Sequence, residues 1–413
     1  MSNTKFENNV SIQHSTHTGR IHYQLLAAVF TLCLISILIF TSKLQAQEQS
    51  NFYLHQNGVT VICDEAEIGE SGEINGVEYT KRTSDQITVE NAAATCTSGI
   101  RDMSRMFAYQ NDFNEDITHW DVSSVTTMAA MFEEVEAFNR DIGNWDVRNV
   151  NNMGSMFLRA RNFDRDISSW NVSNVTNMRS MFEIAVSFNQ DISGWNVSSV
   201  INMGRMFRSA RRFNQSLSEW DVSSVTDMHR MFQSASSFNG NIGNWDVSNV
   251  TNMSNMFWSA DKFNGDIRFW DVSSVTDMNG MFRDAGSFFR NLSNWCVTNI
   301  SEEPFLFSQN SPLDPEHLPQ WGQCPERGIE LLQNFPNPFN TSTVISYYLS
   351  EESDILLEVY DIQGRLVAVL INEIQPPGLQ DIRFDASGLA SGVYIYRIAA
   401  GNITQSRKLM HLK

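Results

Sequence analysis

Basic residues are in short supply. Across 413 residues, 29 Lys and Arg stand against 47 Asp and Glu, a formal net charge of -18. That balance argues against nucleic acid and anionic membrane surfaces as principal partners. Catalytic signatures are missing as well. The eight histidines are His14, His17, His22, His55, His119, His229, His317 and His411, and none lies in a zinc-protease helix motif. No nucleophile elbow, phosphate loop or catalytic cysteine is present. Asp and Glu pairs are too numerous and repetitive to single out a glycosidase dyad. The chain is therefore expected not to be an enzyme, with a secreted hydrolase as the remote alternative. The five cysteines, Cys33, Cys63, Cys96, Cys296 and Cys324, form no CxxC motif or Cys/His cluster, so no zinc site is expected.

Only one long apolar run occurs, LLAAVFTLCLISILIF at residues 25–40, preceded by Lys5 and Arg20 and followed by TSKLQA, which ends at Ala46. It is short and slightly polar for a membrane span. Residues 1–46 are expected to be a signal peptide that leaves no permanent span, an uncleaved anchor being the alternative. Cys33 lies inside this run with no small residue before it, unlike a lipoprotein signal. In an exported chain the other four cysteines read as sequence-local disulfides, Cys63–Cys96 and Cys296–Cys324, one of three possible pairings.

What is abundant is repetition. Trp120, Trp145, Trp170, Trp195, Trp220, Trp245, Trp270 and Trp295 recur at a strict period of 25. Two methionine columns, Met103 to Met278 and Met106 to Met281, hold sixteen of the 18 methionines. Phe107 to Phe282 and Phe113 to Phe288 follow in step. Met128, Met131, Phe132, Val135 and Phe138 lie at the spacing of one helix face. Thr126-Thr127 and Asn151-Asn152 just before it suit N-caps. Ile117, Trp120, Val122 and Val125 read as strand-like at leucine-rich-repeat spacing. The expected fold is an α/β repeat solenoid, one strand plus one helix per 25-residue coil, whose coils stabilise one another. Its parts are an N-terminal cap at 47–100, eight repeats at 101–300, and a C-terminal cap and linker at 301–328.

The unit MxxMFxxAxxFNxDIxxWDVSxVTxM resembles that of BspA-like leucine-rich-repeat bacterial surface proteins. The leader NGVTVICDEAEIGESGEINGVEYTKRT also resembles the N-terminal region of that family. The resemblance covers about residues 57–324 and implies a surface-exposed or secreted adhesin or interaction protein. The chain departs from the family's lipoprotein members in lacking a lipidated cysteine signal. From residue 329 the pattern becomes short alternating runs, TVISYYL, DILLEVYD, RLVAVLI, QDIRFDA and GVYIYRIAA, with Asp361-Ile362-Gln363-Gly364 as a hairpin turn. A small all-β immunoglobulin-like sandwich is expected there. ELLQNFPNPFNTSTVISYYL, VYDIQGRLV and DASGLASGVYIYRI resemble the type A sorting domain of the type IX (Por) secretion system. That resemblance spans residues 330–413. It implies engagement with that machinery and a cell-surface or secreted destination in a Gram-negative bacterium.

Tryptophans at strict spacing would suit a stacking platform for sugars, but an inward leucine-type position makes them core residues here. Two carboxylate ladders are the other candidates. One is Asp116, Asp141, Asp166, Asp191 and Asp266; the other is Asp121, Asp146, Asp221, Asp246 and Asp271, interrupted by Asn171 and Asn196. Stacked carboxylates repel and calcium could bridge them, but the columns tolerate Asn and Ser and no compact calcium-loop motif appears; a turn or cap role with no cofactor is expected, calcium being the alternative. The second ladder, with His119, Ser123, Asn144 and Arg148 beside it, is expected to face outward and form a polar recognition strip for an unnamed extracellular protein or glycan. Passive structure in the envelope or biofilm matrix is the rival reading.

Overall fold

The computed structural model describes residues 51–325 and 328–413. The expected signal segment lies outside the described residues. In the repeat region the backbone alternates between two hydrogen-bonding tasks. Met106, Ala108 and Gln110 donate to the carbonyls of Met103, Arg105 and Phe107 within their own coil, at 3.3, 3.1 and 3.0 Å. Met103, Arg105, Phe107 and Tyr109 instead donate to Thr127, Ala129, Met131 and Glu133 of the next coil, at 3.1, 2.9, 3.0 and 2.7 Å. A run of overlapping tight turns results, and later coils repeat it.

This corrects the expected helix. Among the described residues there is no α-helix, only short 3-10 turns such as Ser84–Gln86 and Ala92–Ala94. The apolar spacing of three and four is met equally by successive three-residue turns. The physical signature is in the dihedrals. Two residues per coil sit in the left-handed region, for example Arg105 (φ 59°) with Tyr109 (67°), Ser180 (56°) with Ile184 (60°), and Arg205 (61°) with Ser209 (58°). Of these two columns only Gly280 is glycine. Such a conformation costs an L-residue about 1–2 kcal/mol. The same residues donate their N–H groups to the next coil, which offsets much of that cost.

The expected strand is also corrected. The Trp-x-Val segment closes turns of its own: Trp120 N–H donates to Ile117 (3.2 Å) and Val125 N–H to Val122 (2.9 Å). Side chains of Asp116 and Asp121 take the N–H groups of Thr118 (3.1 Å) and Ser123 (3.0 Å), which favours turns over a ladder. Parallel bridges between coils run elsewhere, through Asp102, Thr127, Asn152, Asn177, Asn202, Asp227, Asn252 and Asp277. This is the column where N-caps are expected. Asn152 and Asn177 accept from Gly154 and Arg179 at 3.0 Å, so they open the turn run rather than a helix.

One core runs through the array. The Met, Phe, Ile, Val and Trp columns are buried throughout the eight coils, save Met106, which is half-buried. Phenylalanines stack from coil to coil, with Phe157–Phe182 at 5.7 Å and Phe138–Phe163 at 6.0 Å. Trp120–Trp145 and Trp170–Trp195 stack at 6.4 Å, 4° from parallel. Each indole also reaches back a coil: Trp170 Nε1 donates to Ile142 O at 3.0 Å and Trp195 Nε1 to Ile167 O at 3.1 Å. Those carbonyls already accept a backbone N–H inside their own coil, so both lone pairs are used.

The ends are closed by sequence outside the repeat. At the N-terminal end β1 (Tyr53–Leu54) pairs with β2 (Val61–Ile62), and β3 (Ser71–Ile74), β4 (Val77–Lys81) and β5 (Thr95–Cys96) form a second small sheet. Cys63 and Cys96 are joined at 2.15 Å. Ala92 supplies the carbonyl that Trp120 Nε1 needs, at 3.0 Å, in place of an earlier coil. At the other end Phe305, Phe307 and Gln309 offer carbonyls to Gly280, Phe282 and Asp284, and Cys296 and Cys324 are joined at 2.33 Å.

The C-terminal domain is all-β. β6 (Ile329–Leu331), β7 (Ser342–Leu349) and β10 (Gly378–Asp385) form one antiparallel sheet in the order β10-β7-β6. β8 (Ser353–Asp361), β9 (Leu366–Gln375), β11 (Gly392–Ala400) and β12 (Ile403–His411) form another in the order β12-β11-β8-β9. Their inner residues, including Leu331, Ile345, Leu357, Val359, Tyr396 and Ile398, share one core in a sandwich-like arrangement. The turn at 361–364 joins β8 to β9, with Gly364 at φ 79° donating to Asp361 O at 3.0 Å.

The turn run makes a prediction that a helix would reverse. Ser209→Gly and Ser234→Gly relieve left-handed strain (φ 58° and 57°). Each is expected to leave stability unchanged or to raise it by up to about 1 kcal/mol, whereas a helix interior would lose about 1 kcal/mol. Urea unfolding of the single variants measures the sign.

Candidate recognition surface

The polar residues of the repeat are first of all parts of the backbone scaffold. Asn114, Asn139, Asp164, Asn189, Asn214 and Asn239 each offer a side-chain oxygen to the N–H group 25 residues later, at 2.8–3.1 Å. Asn149, Asn174 and Asn249 donate side-chain N–H groups to carbonyls of the preceding coil at 2.7, 2.7 and 2.8 Å. A residue committed this way bridges coils and has little capacity left for a ligand.

The acidic columns behave similarly. Asp141, Asp166 and Asp191 accept the N–H groups of Gly143, Ser168 and Ser193 at 3.0, 2.9 and 3.0 Å. In the proposed strip, Asp221 and Asp246 take both N–H and hydroxyl of Ser223 and Ser248, and Asp271 takes the N–H of Ser273 at 3.0 Å. These three are exposed. Asp146 is half-buried and binds the Arg148 guanidinium at 2.7 Å.

Asp121 departs from its expected outward placement. It is 5% exposed, and its Oδ2 accepts the Ser98 hydroxyl at 2.7 Å. His119 beside it is also buried; its Nε2 lies 2.9 Å from Thr95 O, and burial pushes its pKa below the ordinary histidine value. The physical reason is the N-terminal cap, which covers the first coil. At the far end Asp271 and Ser273 line an open cleft of about 360 Å³ with Tyr348 and Glu351 of the C-terminal domain. The open part of the strip is therefore its middle. Among the described residues no group of three or more His, Cys, Asp or Glu is placed to hold a metal ion. The carboxylates of both columns are turned into their own loops.

The eight tryptophans of the 25-residue column are buried, at 0–3% exposure, and offer no face to a sugar ring. What the spacing of the repeat could not reveal is the turn-run face. There Arg159–Glu134 (2.7 Å) and Arg161–Glu136 (3.0 Å) pair across coils, and arginines gather around Arg205. The signal in sequence was the clustering of Arg205, Arg208, Arg211 and Arg212 in one coil.

The loop role of the carboxylates fixes a pH dependence. Backbone and hydroxyl hydrogen bonds from Ser168, and the corresponding hydroxyl and backbone bonds from Ser193 and Ser223, hold Asp166, Asp191 and Asp221 below the ordinary aspartate value of 3.8. A carboxyl lowered in this way stabilises the fold above pH 3.8, and the contribution is lost as pH falls through the lowered value. Asn stands in the same two columns at Asn171, Asn196 and Asn241. The triple variant Asp166→Asn, Asp191→Asn, Asp221→Asn is therefore expected to keep the fold and to flatten the fall in Tm below pH 3.8. An unchanged acid branch in thermal melts would contradict the assignment.

Three overlapping stretches, residues 78–185, 166–249 and 239–322, match the family described as Mycoplasma protein of unknown function, DUF285. Residues 333–411 match the family described as secretion system C-terminal sorting domain. No curated protein matches the chain. The sorting domain implies engagement with the type IX secretion machinery and places the protein outside the cell or on the outer surface of a Gram-negative bacterium. No helix among the described residues is long and apolar enough to cross a membrane. The repeat matches together cover more than half of the chain, so the protein belongs to the DUF285 family, here joined to a C-terminal secretion sorting domain.

Proposed function

We propose that the protein is a non-enzymatic binding module displayed or released at the cell surface. The observation that carries this reading is an eight-coil array, closed at both ends and joined to an export domain, that presents the same polar residues coil after coil. Repetition of this kind suits multivalent contact: weak sites held in line gain avidity through effective concentration. The similarity of the unit to BspA-like leucine-rich-repeat surface proteins supports an adhesive role, although strand and helix of the leucine-rich type are not what the coils contain. The same uniformity favours one rival, a passive structural component of the envelope or biofilm matrix.

Two experiments test these statements. Removing residues 329–413 is expected to leave the chain in the periplasm, as read by fractionation; normal surface display of the truncated chain would refute the export role. Glycan and extracellular-protein arrays probed with the full chain are expected to show saturable binding. Its absence on every surface would favour the structural role.

A further inference from the structure

We propose that the coils beginning at Met178, Met203 and Met228 bind a polyanionic glycan through an arginine face. This rests on the binding reading above and names its ligand class and its place. Arg205 and Arg230 occupy the same column on successive coils, where phenylalanines beneath them stack at 5.6 Å. Arg179 stands on the coil before, and Arg208 on the same turn run as Arg205. Burial depresses the pKa of the Arg205 guanidinium; Glu183 opposes this, while the like charges of Arg230, Arg179 and Arg208 reinforce it. Four guanidiniums thus share one region.

The carboxylates there are already occupied. Glu183 is 5% exposed and binds Arg208, whose Nε also donates to Gln233 Oε1 at 3.2 Å on the next coil. Asp227 is held by the His229 ring, with Nδ1 at 2.8 Å. Arg205 Nε donates to His229 Nε2 at 3.2 Å, which puts the ring proton on Nδ1, toward Asp227. Among the described residues Arg179, Arg205 and Arg230 are in no ion pair. Glu183 still acts on Arg205 and Asp227 on Arg179, but four guanidiniums against these two carboxylates leave the region net positive on a chain of net charge -18. Acids more than about 8 Å away are screened from it at physiological salt.

The arrangement fits a linear polymer with regularly spaced sulfate or carboxylate groups. Guanidinium forks bind such groups with two parallel hydrogen bonds. A nucleic acid is a poorer fit. Single-strand binders stack bases on exposed rings, and every Phe and Trp of these three coils is buried. An extracellular destination also brings polysaccharides within reach.

The test uses the full chain and calorimetric titration with heparin (sulfate-bearing), alginate (carboxylate only), neutral dextran and a single-stranded DNA oligonucleotide. Saturable, salt-sensitive binding of heparin or alginate is expected. The double variant R205S/R230S should weaken it about tenfold or more, and R205K/R230K should recover part of the loss. Ser155 and Ser180 fill that column at φ 57° and 56°, so the serine variant keeps an accepted residue, and an unchanged Tm checks the fold. The variant D221N/D246N probes the polar strip instead. The proposal falls if neither polyanion binds, if R205S/R230S binds unchanged, or if DNA binds as tightly through the same arginines. If dextran or a protein ligand binds and only D221N/D246N weakens it, the binding role stands and the arginine face is wrong. If no glycan or protein binds, both fall.

Discussion

Each coil leaves alternate backbone N–H groups that only the next coil can satisfy. Met103, Arg105, Phe107 and Tyr109 have their acceptors 24 residues away, and every later coil repeats the dependence. A buried polar group without a partner costs on the order of 1–3 kcal/mol, so a coil alone is not a stable object. Stacking therefore governs the rest of the architecture. It explains why left-handed residues that are not glycine are tolerated, since they carry the donors that reach across. It also explains the caps: Ala92 and the carbonyls of Phe305, Phe307 and Gln309 stand where coils would otherwise be missing.

The same constraint divides the surface into committed and free positions. The Asn114 column bridges coils and the Asp166 and Asp221 columns hold their own loops, so these positions stay Asp, Asn or Ser along most of the array. The turn run must present two left-handed residues per coil, but its outward side chains are unconstrained by that geometry. Arg, Ser, Ile and Asn all occur there. Individual character is therefore found on this side. The sorting domain adds its own contact at the end of the array. Glu330 accepts from Asn294 at 2.9 Å and lies 3.5 Å from Arg268, while Phe269 stacks on Tyr348 at 5.1 Å.

Much of this was legible in the residues. The period and the buried columns follow from spacing, because a column that recurs every 25 residues must meet itself in a stacked array; the cysteine pairing was one of three that the sequence allowed. The strands of the C-terminal domain were legible because alternation survives in each of them. Secondary structure within the coil was not. Met128, Met131, Phe132 and Val135 satisfy a helix and a chain of tight turns equally. The feature that separates the two, positive φ at Ala130 and Glu134, is carried by residues with no preference for it. Glycine in those columns would have announced the turns. Likewise, nothing local marks Asp121 as buried; its neighbour is Ser98 from the cap, 23 residues away.

The direction of the inter-coil bonds has a mechanical consequence. They run along the array, so tension applied between its two ends opens them one coil at a time instead of shearing many together. A coil occupies roughly the 4.8 Å between bridged backbones, yet its 25 residues extend to about 80–90 Å when pulled straight. The two disulfides lie in the terminal regions and leave the coils between them free to unravel. An array of this kind, held at one end and gripped at the other, lengthens stepwise under load and recoils as its coils stack again.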